Sequence, residues 1–398
     1  MQMRWRQARA GFAAARLRAA VPGARWDRAG AECGLVQLFL DGAYHQDVLL
    51  VRGEDEADYE RLLGEVAPGE HLLEARPHPA AAALPAARLL ELAATTLEPR
   101  DELDALALRE APLLYTRAEE DPLESLRTDT PLLLFQRPRD EGVEFQCVFS
   151  NEDGGTDTRG LLAQWGRTTD IEWVLHVPAG GGRATIQGRD HRTEIHAGRR
   201  ILGRRTLQVV GLHGMVAAEP PHGALRCLFV PRWRWDDRLP RECCMDAEPW
   251  TYRIAALEML REGKLASGTA AEDPTPGDLR DYAFVQLLRS DLDAPRTGIE
   301  IRVHTADGRA FSSTHGDRRQ AVGRPYAFST TVKLPAGAHV RRIEALAAPR
   351  QRAGEIRLQL HQAFRLDADY LPLPPFAQGP AAVLHPADAA VTLWAEEP

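Results

Sequence analysis

The alternation of apolar and polar positions is the dominant pattern along this chain, and it predicts β-strands. Val36, Leu38 and Leu40 fall on one face of a strand, and an Asp-Gly turn follows them. Further candidate strands lie at 131–137, 144–150, 171–177, 206–213 and 225–231. The last third of the chain repeats the pattern in GIEIRVHTADGRAFSS and EIRLQLHQAFRL. We therefore expect a multidomain, mostly β protein.

The segment YERLLGEVAPGEHLLEAR resembles the late strands of small immunoglobulin-like sandwiches, in which a Pro-Gly turn precedes an alternating strand. A similar turn recurs in LPAGAHVRRIEA, although chance similarity around a short Pro/Gly turn explains this echo equally well. The resemblance implies immunoglobulin-like β-sandwich modules flanking a mixed, mostly β central domain. We place an N-terminal module at 1–105, the central domain at 106–270 and a C-terminal module at 271–398.

Three short segments have the pattern of helices. The clearest is 249–264, which begins with proline and carries Ile254, Leu257 and Leu260 on one face. A second is 157–166, with Asp157 or Thr158 as the N-cap and Gly166 just past the C-terminus. A third, at 97–109, is charged and carries leucines.

Composition excludes several classes of protein. At 398 residues, with 44% hydrophobic and 27% charged residues, the chain is typical of a globular protein with two or three domains. The formal net charge of −8 and the predicted pI of about 5.9 argue against binding to nucleic acid, which needs a concentrated positive face.

Cysteine usage and the N-terminus point to a reducing compartment. The five cysteines are scattered, with no CxxC pair, and vicinal Cys243 and Cys244 are more simply explained as reduced thiols than as a redox pair. No apolar core of a secretory signal follows Met1, and no window approaches the roughly 18 apolar residues of a membrane span. We expect a soluble, cytoplasmic protein without a membrane span.

The stretch CVFSNEDGGTDT concentrates oxygen ligands directly after a predicted strand. Asn151, Glu152 and Asp153 precede two glycines whose dihedral freedom can turn carbonyl groups toward a cation. Calcium or magnesium prefers such ligands, although the spacing is not that of an EF-hand. The alternative is a solvated turn, which these residue types also build.

A second polar group lies on the next predicted strand. Strict alternation places Asp170, Glu172, Val174 and His176 on one face, with the two carboxylates about 7 Å apart. This spacing suits a cation, or a pair of carboxyl groups that divide acid and base roles. The alternatives are an exposed strand face and an ion pair between Arg167 and Asp170.

Further residues complete the candidate site. His191 is a candidate general base or metal ligand, like His176, and Arg167 is a candidate for steadying an anionic group of a substrate. Trp233, Trp235 and Asp236 have the chemistry of a sugar-binding or apolar cleft, although packing of the two tryptophans explains them as well.

Three functions are compatible with these residues. The first is an enzyme, most simply a hydrolase of a phosphoester or glycosidic bond, with calcium or magnesium as a possible cofactor held by Asn151, Glu152, Asp153, Asp170 and Glu172. The second is a non-catalytic scaffold that binds calcium or carbohydrate. The third is a cation-free acid/base enzyme, a lyase, isomerase or cyclase, acting on an apolar metabolite. The expected partner is a small molecule or glycan, and the sequence does not fix an oligomeric state.

Overall fold

The chain folds into a mostly β protein. The computed structural model describes residues 1–117, 123–126, 128–152, 154–212, 214–217, 223–291, 297–348, 354–385 and 388–397. Strands account for 45% and helices for 14% of the chain, and the sheets are predominantly antiparallel, which confirms the predicted class. The chain forms two compact units. The first comprises Met1–Gly155 and Thr169–Trp235, and the second comprises Thr156–Thr168 and Asp236–Pro398.

Seven strands at the start of the first unit form two antiparallel sheets. They are β1 (Gln2–Gln7), β2 (Gly11–Ala20), β3 (Gly34–Leu40), β4 (Ala43–Leu50), β5 (Ala57–Val66), β6 (Gly69–Pro77) and β7 (Arg88–Leu97). One sheet has the order β1-β6-β3-β4 and the other β5-β2-β7. Leu17, Leu38 and Leu62 are fully buried, as expected for the apolar face of alternating strands.

Within the described residues, the remainder of the first unit adds one α-helix and two further sheets. The elements are α1 (Glu102–Glu110), β8 (Leu113–Tyr115), β9 (Pro131–Arg139), β10 (Gly142–Phe149), β11 (Ile171–Pro178), β12 (Thr185–Gln187), β13 (Thr193–Ile195), β14 (Arg200–Ile201), β15 (Arg204–Gly211), β16 (Gly214–Val216) and β17 (Arg226–Cys227). The sheet orders are β13-β12-β11-β10-β9 and β14-β15-β8-β17, with β16 paired to β15. The predicted strands at 131–137, 144–150 and 171–177 are confirmed, and the strand predicted at 206–213 is confirmed as far as Gly211, with residue 213 outside the described residues. Only two residues of 225–231 form a strand.

A β-bulge interrupts the alternation of β11. Phe145 of β10 pairs with Leu175, but the next residue, Gln146, pairs with Trp173, so Val174 is an extra residue on β11. A bulge of this kind shifts the side-chain alternation of the strand that carries it. The side chains before and after Val174 therefore do not follow a single two-residue alternation along β11.

The second unit is built on two four-stranded antiparallel sheets. Its helices are α2 (Thr158–Gly160), a one-turn π-helix (Leu161–Trp165), α3 (Cys243–Ala247) and α4 (Trp250–Arg261). Its strands are β18 (Tyr282–Asp291), β19 (Gly298–Thr305), β20 (Ala310–Ser312), β21 (Phe328–Lys333), β22 (Val340–Ala348), β23 (Ile356–Phe364), β24 (Ala381–Leu384) and β25 (Val391–Ala395). The sheets β21-β18-β23-β24 and β20-β19-β22-β25 share one hydrophobic core, to which β18 contributes Val285 and β19 contributes Ile301.

The helix predicted at 157–166 is confirmed together with both of its caps. The Asp157 carboxylate accepts a hydrogen bond from the Gly160 amide at 2.6 Å, and Gly166 ends the π-helix with φ +62°. The hydroxyl of Thr330 on β21 donates to the Ala163 carbonyl at 2.6 Å. This side chain satisfies a carbonyl in the last turn of the segment, which holds residues 158–166 against β21.

The helix predicted at 249–264 is also present, as α4. Pro249 is its N-cap residue, and Ile254 is buried, in agreement with the apolar face. Leu260, placed on that face by periodicity, is 40% exposed, because the buried face of α4 centres on Ile254, Ala255 and Met259. The run 97–109, predicted to contain a third helix, contains most of α1, which starts at Glu102, whereas Leu97 is the last residue of β7.

Two further observations concern helix length and the cysteines. Within the described ranges, no helix is both long and apolar enough to cross a membrane. All five cysteines are free thiols, and four of them are buried. The division into three domains, at residues 105 and 270, stays a prediction. The two compact units have a boundary between Trp235 and Asp236.

Candidate functional site

Asn151 is the centre of a buried hydrogen-bond network at the end of β10. Its side-chain oxygen accepts from the Asp129 amide at 2.7 Å and from the Ser150 hydroxyl at 3.2 Å. Its side-chain nitrogen donates to the Thr128 hydroxyl at 3.3 Å, and its carbonyl accepts from the Asp170 amide at 3.3 Å. Asn151, whose side chain is predicted to face a cation, therefore connects the end of β10 to residues 128–129 and to the residue before β11.

The Asp170 carboxylate lies beside this network in the interior of the first unit. With Asp129, Phe149 and Met215, Asp170 lines a cavity of about 10 Å³. A space of this size holds about one water molecule.

Glu172 and His191 are brought together from two predicted segments. Glu172 is buried, and its Oε2 accepts a hydrogen bond from the Gln187 side chain at 2.7 Å. His191 Nδ1 lies 3.8 Å from the same oxygen, and the imidazole is 57% exposed. The exposed ring thus stands next to a buried carboxylate.

The backbone at His191 has an unusual conformation. Asp190 and His191 have φ +56° and +58°, so two consecutive residues other than glycine lie in the left-handed region. Each such residue costs free energy relative to the right-handed conformation, and such residues occur often at functional sites. The Asp190 amide donates to the Leu212 carbonyl at 3.1 Å, which ties this turn to the end of β15.

The predicted common face of Glu172 and His176 is wrong. Glu172 pairs with Cys147 and His176 pairs with Glu144, and these two residues of β10 point to opposite faces of the sheet. The extra residue Val174 produces this change of face. His176 Nε2 is buried, and no described residue forms a hydrogen bond with it.

Arg167 belongs to the second unit and is not part of the carboxylate network. Its guanidinium forms an ion pair with Glu242, and both side chains are almost fully buried. The guanidinium also lies 4.8 Å from the centre of the Trp165 ring. The Arg167–Asp170 ion pair considered from the sequence is replaced by this pair with Glu242.

The proposed cation ligands are described only in part. Within the described ranges, no group of three or more His, Cys, Asp or Glu side chains is arranged to hold a metal ion. Glu152 is buried, and Asp153 lies outside the described residues. Calcium or magnesium binding at Asn151, Glu152, Asp153, Asp170 and Glu172 therefore stays a prediction.

The three residues predicted to line a ligand cleft have different surroundings. Trp235 packs edge-on against Phe135, with ring centres 6.4 Å apart, and the guanidinium of Arg137 lies 4.8 Å from its ring. Trp233 is 41% exposed. Asp236 belongs to the second unit and forms an ion pair with Arg238.

Several residues of these networks were not identified from the sequence. The Asp129 amide donates to the Asn151 side chain, and the Gln187 side chain on β12 donates to Glu172. Neither residue lies in a motif that marks it. Asp246 was also missed: burial raises its pKa to about 6, although its side chain accepts hydrogen bonds from Tyr252 and Gln286. No periodicity in one segment can indicate contacts of this kind, because they depend on how distant strands pair.

Comparisons with known proteins add no family to this description. No model of a known protein family matches the chain, and no curated protein is significantly similar to it.

Proposed function

We propose that the protein is a hydrolase in which His191 and Glu172 act together in proton transfer. The observation that carries the proposal is the 3.8 Å approach of the exposed imidazole to the buried carboxylate. The hydrogen bond from the Gln187 side chain fixes the orientation of the Glu172 carboxylate, so this orientation does not depend on contacts with solvent.

The chemical roles follow from burial and exposure. The solvent-facing His191 accepts a proton from the attacking water, and Glu172 stabilises the imidazolium that forms. The 3.8 Å separation is longer than a hydrogen bond, and catalytic contacts often shorten only when substrate is bound. The scissile bond in this proposal is a phosphoester or glycosidic bond, and a calcium or magnesium ion at Asn151, Glu152 and Asp153 remains part of it.

The experiment is a set of hydrolysis assays with nitrophenyl phosphate esters and nitrophenyl glycosides across pH 4–9. His191→Gln and Glu172→Gln are expected to lower kcat/KM by about 10²-fold or more. His191→Gln is also expected to remove the acidic limb of the pH profile, because His191 is the group that accepts the proton. His385→Gln is the matched control, because His385 forms an exposed pair with Glu355 at 2.9 Å in the second unit.

Two results contradict the proposal. One is the absence of turnover of both substrate classes, with and without added calcium or magnesium. The other is turnover that His191→Gln leaves unchanged. Repeating the assays after chelation tests the cation separately from the His191–Glu172 pair.

A second candidate function is carbohydrate binding without catalysis. The exposed ring of Trp233 favours it, because an exposed indole can stack on a sugar ring. Binding of oligosaccharides that Trp233→Ala abolishes and His191→Gln leaves intact would support this candidate over the hydrolase.

We further propose that the paired sheets at the two ends of the chain are immunoglobulin-like sandwich modules. Seven strands in two antiparallel sheets at the N-terminus and eight strands over one core in the second unit support this assignment. Expression of residues 1–105 alone tests it, since an independent module gives a cooperative unfolding transition.

A further inference from the structure

The sheet β21-β18-β23-β24 is covered by helices along part of the face that points away from the hydrophobic core. Phe284 of β18 lies opposite Phe364 of β23, and both rings pack against the tyrosine of α4. The next pair along the sheet is Gln286 and Gln362. Their side chains donate to the Asp246 carboxylate of α3 at 2.8 and 3.0 Å. The helices therefore cover this face near the start of β18.

Farther along β18 the same face carries an open cleft. Leu288 and Ser290 continue the alternation of β18, and they lie opposite Gln359 and Arg357 of β23. Ser290, Gln359 and Arg357 are exposed, whereas Leu358, between the last two, is buried in the hydrophobic core. All four residues on this face line a cleft of about 530 Å³.

The cleft has the size and the mixed lining of a small-molecule site. Binding sites for organic ligands have volumes of roughly 300–1,000 Å³, with apolar surface and a few polar groups. Here Leu288 and Ala381 supply apolar surface, and Tyr326, in the segment before β21, supplies an aromatic ring that is 52% exposed. Asp237 and Arg238 also line the cleft.

Four polar side chains of the cleft are available to a ligand. No described residue forms a side-chain hydrogen bond with Ser290, Tyr326, Arg357 or Gln359, and no described carboxylate forms an ion pair with Arg357. A guanidinium carries five N–H donors in a planar fork that matches the oxygens of a carboxylate or phosphate group. Arg357 is thus the strongest candidate ligand for an anionic group in this cleft.

The charges around the cleft favour an anion. The charged residues of its lining are Asp237, Arg238, Arg289 and Arg357. Arg238 forms an ion pair with Asp236, and Arg289 donates to backbone carbonyls. With Asp236 included, these groups leave an excess of one positive charge. A ligand with one anionic group is therefore complementary to the cleft.

We propose that this cleft binds a sugar unit that carries a carboxylate or phosphate group. Arg357 binds the anionic group, and the ring of Tyr326 stacks on the apolar face of the sugar ring. Ser290 and Gln359 each provide both a donor and an acceptor, as sugar hydroxyl groups do, and they bind these hydroxyls. The site lies within the second unit, and its occupancy is measured as binding, independently of turnover at the His191–Glu172 pair.

The test is calorimetric titration of the full-length protein with glucuronate, with glucose 6-phosphate and with glucose, at low ionic strength. We expect saturable binding of at least one anionic sugar, about tenfold or more tighter than that of glucose. Arg357→Gln is expected to weaken this binding by about tenfold or more. The titrations with glucuronate and glucose 6-phosphate distinguish carboxylate from phosphate recognition.

Two control variants separate the cleft from general charge effects and the Tyr326 ring from its hydroxyl. Arg318→Gln removes an exposed arginine of the same unit that does not line the cleft, and it should change the affinity by less than about twofold. Tyr326→Ala should weaken binding by about fivefold or more, whereas Tyr326→Phe keeps the ring and should stay within about threefold of the parent. Circular dichroism confirms that each variant is folded.

Four results overturn the proposal. The first is no saturable binding of either anionic sugar at millimolar concentration, and the second is glucose binding as tight as that of the anionic sugars. The third is binding that Arg357→Gln leaves unchanged, or that Arg318→Gln weakens as much as Arg357→Gln does. The fourth is binding of inorganic phosphate or acetate as tight as that of the anionic sugar, because the sugar ring then contributes nothing.

Discussion

Arg167 and Glu242 form a buried ion pair, with only 3% of the Arg167 side chain and 5% of the Glu242 side chain exposed. Removing one member of such a pair leaves an uncompensated buried charge, which costs more than the pair itself contributes. Both residues also contact partners of their own: Arg167 lies over Trp165 and Glu242 accepts from Ser329. The pair therefore joins residues of the 156–168 segment to the region before α3 within the second unit.

We predict that Glu242→Gln lowers the free energy of unfolding by about 3–5 kcal/mol, because Arg167 loses its counter-charge in a buried position. Urea denaturation measures this change. Glu74→Gln is the control, since Glu74 pairs with the exposed Arg76, and we expect it to cost less than about 1 kcal/mol. Equal effects of the two substitutions would show that the Arg167–Glu242 pair is effectively solvated.

Gly166→Ala is expected to destabilise the second unit by roughly 2–4 kcal/mol. Gly166 has φ +62°, and a Cβ at this position would lie 2.6 Å from both the Ser329 Cβ and the Thr330 nitrogen. Left-handed strain and the steric conflict with β21 add to each other. Thermal unfolding compares this variant with Gly180→Ala, where a Cβ meets no atom within 4 Å. A Gly166→Ala protein as stable as the Gly180→Ala protein would contradict the close approach to β21.

Asn151→Ala is expected to cost about 2–3 kcal/mol. The substitution leaves the Asp129 amide, which is buried, without the oxygen it contacts at 2.7 Å, and it removes the hydrogen bond to Thr128. Gln359→Ala, at an exposed position of β23, is the control and should change stability by less than about 0.5 kcal/mol. Chemical denaturation measures the free energy of unfolding of both variants. A negligible effect of Asn151→Ala would show that this hydrogen-bond network does not stabilise the fold.

The sequence predicts local elements of this fold better than it predicts their contacts. The caps Asp157 and Gly166 mark the ends of their helix because each acts on backbone groups a few residues away. The incorrect placement of His176 on the same face as Glu172 also concerns a single strand, but its cause is the pairing of that strand with β10. The extra residue Val174 becomes visible only when β10 pairs with β11, and strict alternation cannot anticipate it.

For the candidate site, too, the sequence indicates the residue types but not which of them come into contact. Glu172 and His191 are both identifiable by residue type, yet their 3.8 Å approach depends on β12 and its turn. Arg167, three residues from Asp170 in sequence, folds with the second unit because its charge is neutralised by Glu242. Sequence proximity thus grouped residues that the fold assigns to different units.

The last prediction concerns Asp246, whose pKa is raised to about 6 by burial and by the nearby Glu242. An acid with a folded-state pKa above its unfolded value near 3.8 binds protons more strongly in the folded protein. Its contribution therefore favours folding at pH 4 and is lost as pH rises through about 6, by up to about 3 kcal/mol. Asp246→Asn cannot titrate, so the difference in unfolding free energy between the parent and this variant should change over pH 4–6.5 and be constant above pH 7. Urea midpoints measured at half-unit pH intervals give this difference, with Asp388→Asn as the variant at a solvent-exposed carboxyl. A difference that does not vary with pH would show that the Asp246 carboxyl is hydrated in the folded protein.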